Sequence, residues 1–472
     1  MTSTQYFRSA AVAAVCVVLP AFSFAQARPP ALPLDSPFGG GVPAGVVTPE
    51  TVSLSVADVI KRALDHNLGV LLAEQGESRS AGTRTVALSD YLPHLSGTVS
   101  EARRKTNLEA FGFPLREEFP RIVGPFNVFD ARVFLSQAVL DMSALNDLRS
   151  ADHSLTAARH SYRSARDLVV LVAANLYLQV LATGARADTA RAQLETATAL
   201  HQQAISLREG GLVAGIDVVR AEVRQSTERQ RVTAATNDYE KTKLQLARVI
   251  GLPAGQAFAL SQDIPFVPVP DMTLEDALAR AYRDRPDYLA ALERVRAAEA
   301  SRKAIVGEAL PTLRVTADYG TIGLHWSTAL PTFNVVGTLA VPIFEGGRVQ
   351  GRLAEADAEL RTRRAEADDA RAEIYYDVRT AFLDLKATDE ELQTATRARE
   401  LANLQLTQSR DRFAAGVASN IEVVQSQEAV AQASEQYIAA LYGFNVSKAV
   451  LARSLGTAED AVARYLGGPL SK

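Results

Sequence analysis

Apolar positions recur along this chain with three periods, and the succession of periods occurs twice. From Leu54, SVADVIKRAL puts Val56, Val59, Ile60, Ala63 and Leu64 on one side of a helix; TLEDALARAY opens a second copy at Leu274. Both helices are expected to stop at prolines, Pro93 and Pro311, because proline lacks an amide donor and clashes with the preceding turn. The period then becomes two. Leu313, Val315, Ala317 and Tyr319 alternate with Arg314, Thr316, Asp318 and Gly320, and Phe129, Ala131, Val133 and Leu135 alternate with Asp130, Arg132, Phe134 and Ser136. Phe333, Val335, Gly337, Leu339 and Val341 mark the last strand, while the strand after Pro93 alternates poorly.

A period of seven follows. Leu148, Leu155, Tyr162, Val169 and Leu176 form a seam, with Ala151, Ala158, Ala165 and Val172 three residues after the first four. Leu353, Leu360, Ala367, Ile374 and Ala381 keep the register 205 residues on. No proline interrupts Ser143 to Arg208, so at about 1.5 Å per residue the helix is roughly 95–100 Å long. That length makes a rod rather than part of a compact core. Each rod is expected to turn back at a glycine segment, EGGLVAGID (Glu209–Asp217) and AAGVASNIE (Ala414–Glu422), where Gly211 or Gly416 can adopt the left-handed conformation that ends a helix.

The landmarks pair off. YLPHL at Tyr91 matches ALPTL at Ala309, QAVLDMSAL at Gln137 matches VPIFEGGRV at Val341, and GLVAGIDVV at Gly211 matches GVASNIEVV at Gly416. Matched residues lie about 218 apart before the strands and 204 to 205 after them, which leaves some 14 extra residues in a first-copy loop near Arg104–Pro125. The expected organisation is a signal segment over 1–27 and an extended Pro/Gly-rich segment over 28–53. Repeat 1 covers 54–250, as helix 54–91, β-hairpin 93–140 and helical hairpin 143–250 with its turn at 209–217. A crossover over 251–273 leads to repeat 2 over 274–456, as helix 274–309, β-hairpin 311–343 and helical hairpin 347–456 with its turn at 414–422. A tail covers 457–472.

Arg8, the apolar run Ala10–Phe22 and Ala25-Gln26-Ala27 have the form of a cleaved export signal. That run is too short to span a bilayer, and no later run of 18 uncharged apolar residues is expected, so any crossing falls to the strands. Four strands cannot close a barrel, and an open edge in hydrocarbon leaves backbone groups unpaired. Two chains would supply eight strands with a filled interior; three would supply twelve and a lumen. The alternation by itself fits a soluble ribbon equally well.

Cys16 is the only cysteine, and Val15 before it is a poor fit for lipid attachment; the exported chain then has no thiol chemistry. Fifty basic against 54 acidic residues, a formal charge of −4, argue against a nucleic-acid footprint. The six histidines lack metal-ligand spacing, and phosphate-cradling, dinucleotide and GxSxG motifs are missing. No enzyme, cofactor or metal is expected.

The strand-to-helix junctions LSQAVLDMSAL and AVPIFEGGRV, the turns REGGLVAGIDVVRAE and RFAAGVASNIEVVQSQ, and the duplication itself make the chain resemble the TolC-like outer-membrane efflux proteins over about Leu54–Gly456. The resemblance implies a mainly α protein with a small membrane β part. It would be a homotrimer whose protomers each give four strands to a twelve-stranded barrel in outer-membrane lipid, above a long periplasmic α-helical barrel. It further implies a passive exit duct served by a periplasmic adaptor and an inner-membrane pump. Carried over by position, Gly211, Leu212, Val213, Ala214, Gly416, Val417, Ala418 and Ser419 are the adaptor-contact turns. Asp217, Glu422, Gln425 and Phe413 are candidates for the lumen or its aperture. Ala418 stands where the member best known for its closed tip has an arginine, and Gln425 replaces an acid, so an arginine lock is not expected here. Phe126, Phe129, Trp326, Phe333 and Phe344 are candidate interface aromatics. The competing reading is a periplasmic coiled-coil adaptor or scaffold that never enters a membrane.

Overall fold

The computed structural model describes residues 36–112, 120–211, 213–261, 267, 272–415, 417 and 420–466. β1 (Val52–Leu54) leads into α1 (Val56–His66), which starts in a capping box: the Ser55 hydroxyl accepts from the Asp58 amide while Asp58 accepts from Ser55. The helix expected over 54–91 is two helices, α1 and α2 (Leu68–Ser89). Asn67 breaks it with an extended backbone: its side chain accepts from Gly69 N–H at 2.9 Å and donates to the Phe38 carbonyl at 2.9 Å. Local side-chain bonding of this kind competes with helix continuation.

Two long strands follow, β2 (His94–Asn107) and β3 (Ile122–Leu140), so the poorly alternating segment after Pro93 is strand throughout. The rod α3 (Met142–Glu209) is capped by Asp141, which accepts from Ala144 N–H at 3.0 Å, and α4 (Gly215–Val249) returns beside it. The crossover contains β4 (Phe258–Leu260), paired in parallel with β1. The second helix is also divided, into α5 (Leu274–Asp284) and α6 (Pro286–Gly307). Pro286 confines Arg285 to extended backbone and then serves as the first residue of a new helix. β5 (Thr312–Gly323), β6 (Leu330–Ala340), α7 (Arg348–Ala414) and α8 (Asn420–Ser454) complete the second copy. Part of the expected tail is helical, α9 (Ala458–Tyr465).

The long strands form one antiparallel sheet in the order β2-β3-β5-β6, leaving β2 and β6 as edges. α3 is the axis of the helical part, packed on α4, α2, α6 and α8, while α7 pairs with α8 and α6. Between Val169 and Val180 α3 is buried almost all round, enclosed also by α1 and α9. Against expectation, α3 therefore holds one stretch apolar and long enough to cross a membrane by composition, but 67% of it is buried in the protein. Packing accounts for its hydropathy.

Candidate functional site: the strand sheet and the far turns

The ladder registers sort the sheet into two faces, since side chains alternate and paired residues share a side. One face carries Leu95 and Val99 of β2, Ala131, Val133 and Leu135 of β3, Val315, Ala317 and Tyr319 of β5, and Phe333, Val335 and Leu339 of β6. This face has no cover: Leu95, Val99, Tyr319, Phe333 and Val335 are 65–75% exposed. From Leu313 to Thr321 the apolar rows run about 27 Å along the strand, or about 20 Å in height at a tilt of ~40°. A soluble sheet buries such a face; hydrocarbon requires it.

The opposite face is polar. Arg132 donates to both oxygens of Asp130, at 2.6 and 2.7 Å, and to Asp318 of β5 at 3.1 Å, and its guanidinium lies 5.2 Å from the Phe134 ring centre. Gly320 pairs with Arg132, and a Cβ there would fall 2.1 Å from the Ala131 carbonyl, so this crossing needs glycine. Of the candidate interface aromatics, Phe333, Trp326 and Phe344 are highly exposed, whereas Phe126 and Phe129 are half-buried, Phe126 on the polar side.

The turns lie at the far ends of the rods. Gly211 has φ 73°, the left-handed value, and its N–H donates to the Arg208 carbonyl at 2.9 Å. Val213 is half-buried, and Ala214 takes the extended N-cap position of α4 with no side-chain cap. Asp217, in the first turn, meets Arg220 at 3.4 Å. In the second turn Val417 is exposed and donates its N–H to Arg412 at 3.0 Å. Glu422 reaches back over the turn to Arg412 at 3.1 Å, and Gln425 is exposed. Leu212, Gly416, Ala418 and Ser419 lie outside the described residues, as does the Phe413 side chain.

About two and a half helical turns behind these turns is a charge network that the sequence reading missed. Glu228 of α4, fully buried, meets Arg224 at 2.9 Å and Arg231 at 3.0 Å, and both arginines also bond Glu428 of α8. Burial works against ionised Glu428, but the hydrogen bonds and charge of Arg224, with the charge of Arg231, outweigh it and hold the carboxyl below its ordinary range. One half of the network, the spacing of Arg224, Glu228 and Arg231 along one helix, is legible in sequence. The approach of Glu428 is tertiary. In the second hairpin the Ser409 and Ser426 hydroxyls bond at 2.8 Å across α7 and α8, where the first hairpin packs Ala204 and Ala221. Among the described residues no group of side chains has the makings of a metal site.

The profile of the outer membrane efflux protein family matches residues 59–252 and 277–457. The chain is 24% identical over 321 residues to the pyoverdine export outer membrane protein OpmQ of Pseudomonas putida, spanning 65% of this chain and 66% of OpmQ. It is 22% identical over 361 residues to outer membrane protein TolC of Escherichia coli, 73% of each chain. Its fold superposes on the Campylobacter jejuni CmeC outer membrane channel with a TM-score of 0.72 at 17% identity, covering 87% of this chain and 88% of CmeC. The open-state Neisseria gonorrhoeae MtrE channel gives 0.70 at 17%, covering 88% and 94%.

Proposed function

The chain belongs to the outer membrane efflux protein family, and on that premise we propose that three copies close into a single exit duct, the outer-membrane stage of a tripartite efflux or secretion system. The observation that carries this reading is the uncovered apolar face on a four-stranded sheet with two free edges. Pairing β6 of one protomer with β2 of the next satisfies both edges and makes a twelve-stranded barrel with lipid outside and the Arg132 network facing the lumen. The helical layer has matching free sides: α4 exposes Ile216, Val219 and Val223, and α7 exposes Tyr376, Leu383, Leu401 and Leu404. The two repeats are copies of one duplicated unit, supported by the like order of hairpins and by the left-handed Gly251 and Gly456 that end α4 and α8.

The residues 209–217 and 414–422 are the docking end for a periplasmic adaptor, with an inner-membrane pump supplying the energy and setting the cargo. The duct itself is passive. The network of Arg224, Glu228, Arg231 and Glu428 ties the first hairpin to the second near that end, in place of the missing arginine lock. Asp217, Glu422, Gln425 and Phe413 stand at the aperture.

Fractionation and substitution test the reading. The protein is expected to require detergent for extraction and to run as a trimer in mild detergent. Leu212→Asp and Val417→Asp are expected to abolish export at normal trimer yield. A monodisperse protein without detergent would instead favour the soluble scaffold.

A further inference from the structure

We propose that the outer rim of the first β-hairpin binds the phosphate groups of the outer-leaflet glycolipid, through Arg103 and Lys105 at the top of β2; this rests on the outer-membrane reading above. The outward face of β2 runs Leu95, Gly97, Val99, Glu101, Arg103, in register with Leu135, Val133, Ala131, Phe129 and Asn127 of β3. The ladder is then irregular between Arg104 and Thr106, so Lys105 sits at the irregularity beside Arg103. Arg103 lies four positions beyond Val99, about 13 Å along the strand and ~10 Å in height, which carries the guanidinium from the hydrocarbon into the headgroup layer.

Arg103 and Lys105 are exposed, and neither makes an ion pair among the described residues. Their basic neighbours are committed elsewhere. Arg121 meets Glu109 at 3.6 Å, and Arg104 points to the lumen side with Phe126. Glu101, one step nearer the hydrocarbon, offsets one of the two cations. Across the proposed seam the end of β6 brings no carboxylate: Gly323–Leu330 has no charged residue, and Trp326 is 79% exposed. A fork of guanidinium donors beside an ammonium, above an apolar wall and near an interfacial tryptophan, matches a phosphate attached to acyl chains.

The trimer, extracted from outer membranes in mild detergent, is assayed for retained phosphorylated glycolipid and for its dissociation temperature. Added ligands are bisphosphorylated lipid A, the same lipid stripped of phosphate, and inorganic phosphate. The wild type is expected to be stabilised by the bisphosphorylated lipid alone. Arg103→Gln/Lys105→Gln, and the stronger Arg103→Glu/Lys105→Glu, are expected to lose retention by about tenfold or more while still fractionating as outer-membrane trimers. Unchanged retention in both variants overturns the proposal, as does equal stabilisation by the stripped lipid or by inorganic phosphate. Absence of the wild type from the outer membrane would instead overturn the duct reading.

Discussion

α3 and α7 have the same length to within a residue and the same heptad register 205 positions apart, yet they live in different surroundings. Leu178 of α3 is fully buried; its counterpart Leu383 of α7 is 62% exposed. Around Leu178 the chain supplies neighbours on every side. At the matching level α7 buries only one stripe, Ile374, Val378 and Ala381, against Ala277 and Ala281 of α5 and Leu451 and Leu455 of α8. The difference teaches that a seam specifies which stripe packs, while the fate of the remaining faces depends on what lies beside them. For α3 the neighbour is the rest of its own chain. For α7, in the proposed trimer, it is another subunit.

Matched substitutions test that contrast. Leu178→Ala is expected to cost about 2–5 kcal/mol in denaturant unfolding, the usual penalty for a cavity in a packed core. Arg224→Ala comes next: it strips buried Glu228 of one partner, and because Arg231 remains at 3.0 Å the loss is expected near the lower end for a broken buried pair, about 3 kcal/mol. The equivalent of Glu228 in the second hairpin is Ala433, so that hairpin has no such dependence.

A pH effect separates the rods further. Burial pushes the Asp167 carboxyl of α3 up to about 6, while its counterpart in α7 is Ala372. The folded protein keeps this proton between about pH 4 and 6, where the unfolded chain has lost it. Stability from this group therefore falls as pH rises through that window, by at most about 3 kcal/mol. Asp167→Asn is expected to flatten that slope in unfolding curves recorded from pH 4 to 7. Leu383→Ala is expected to have the smallest effect on chain unfolding, under about 0.5 kcal/mol, while lowering the dissociation temperature of the trimer. A loss as large as that of Leu178→Ala would break the contrast.

The breaks at Asn67 and Arg285 mark a second limit of sequence reading. At Asn67 the bend is held by side-chain hydrogen bonds to Gly69 and to the distant Phe38 carbonyl. At Arg285 the break is local, set by Pro286, and what the sequence does not show is the tie of Arg285 to Asp377 of α7. The same holds near the far turns. Gly211 announces a reversal because its backbone angle is a local property, whereas the meeting of Ser409 with Ser426, or of Arg224 with Glu428, joins residues on separate helices.

By itself the sequence determined the periods of two and seven, the proline and glycine interruptions, and the demand that four strands find partners, since each follows from local stereochemistry and backbone hydrogen bonding. Only the tertiary structure decided which apolar faces are covered within one chain and which are left bare. Burial of a face is settled by contacts between segments far apart in sequence, and the uncovered apolar face of the strand sheet and the open flank of α7 differ from the core of α3 in that respect alone.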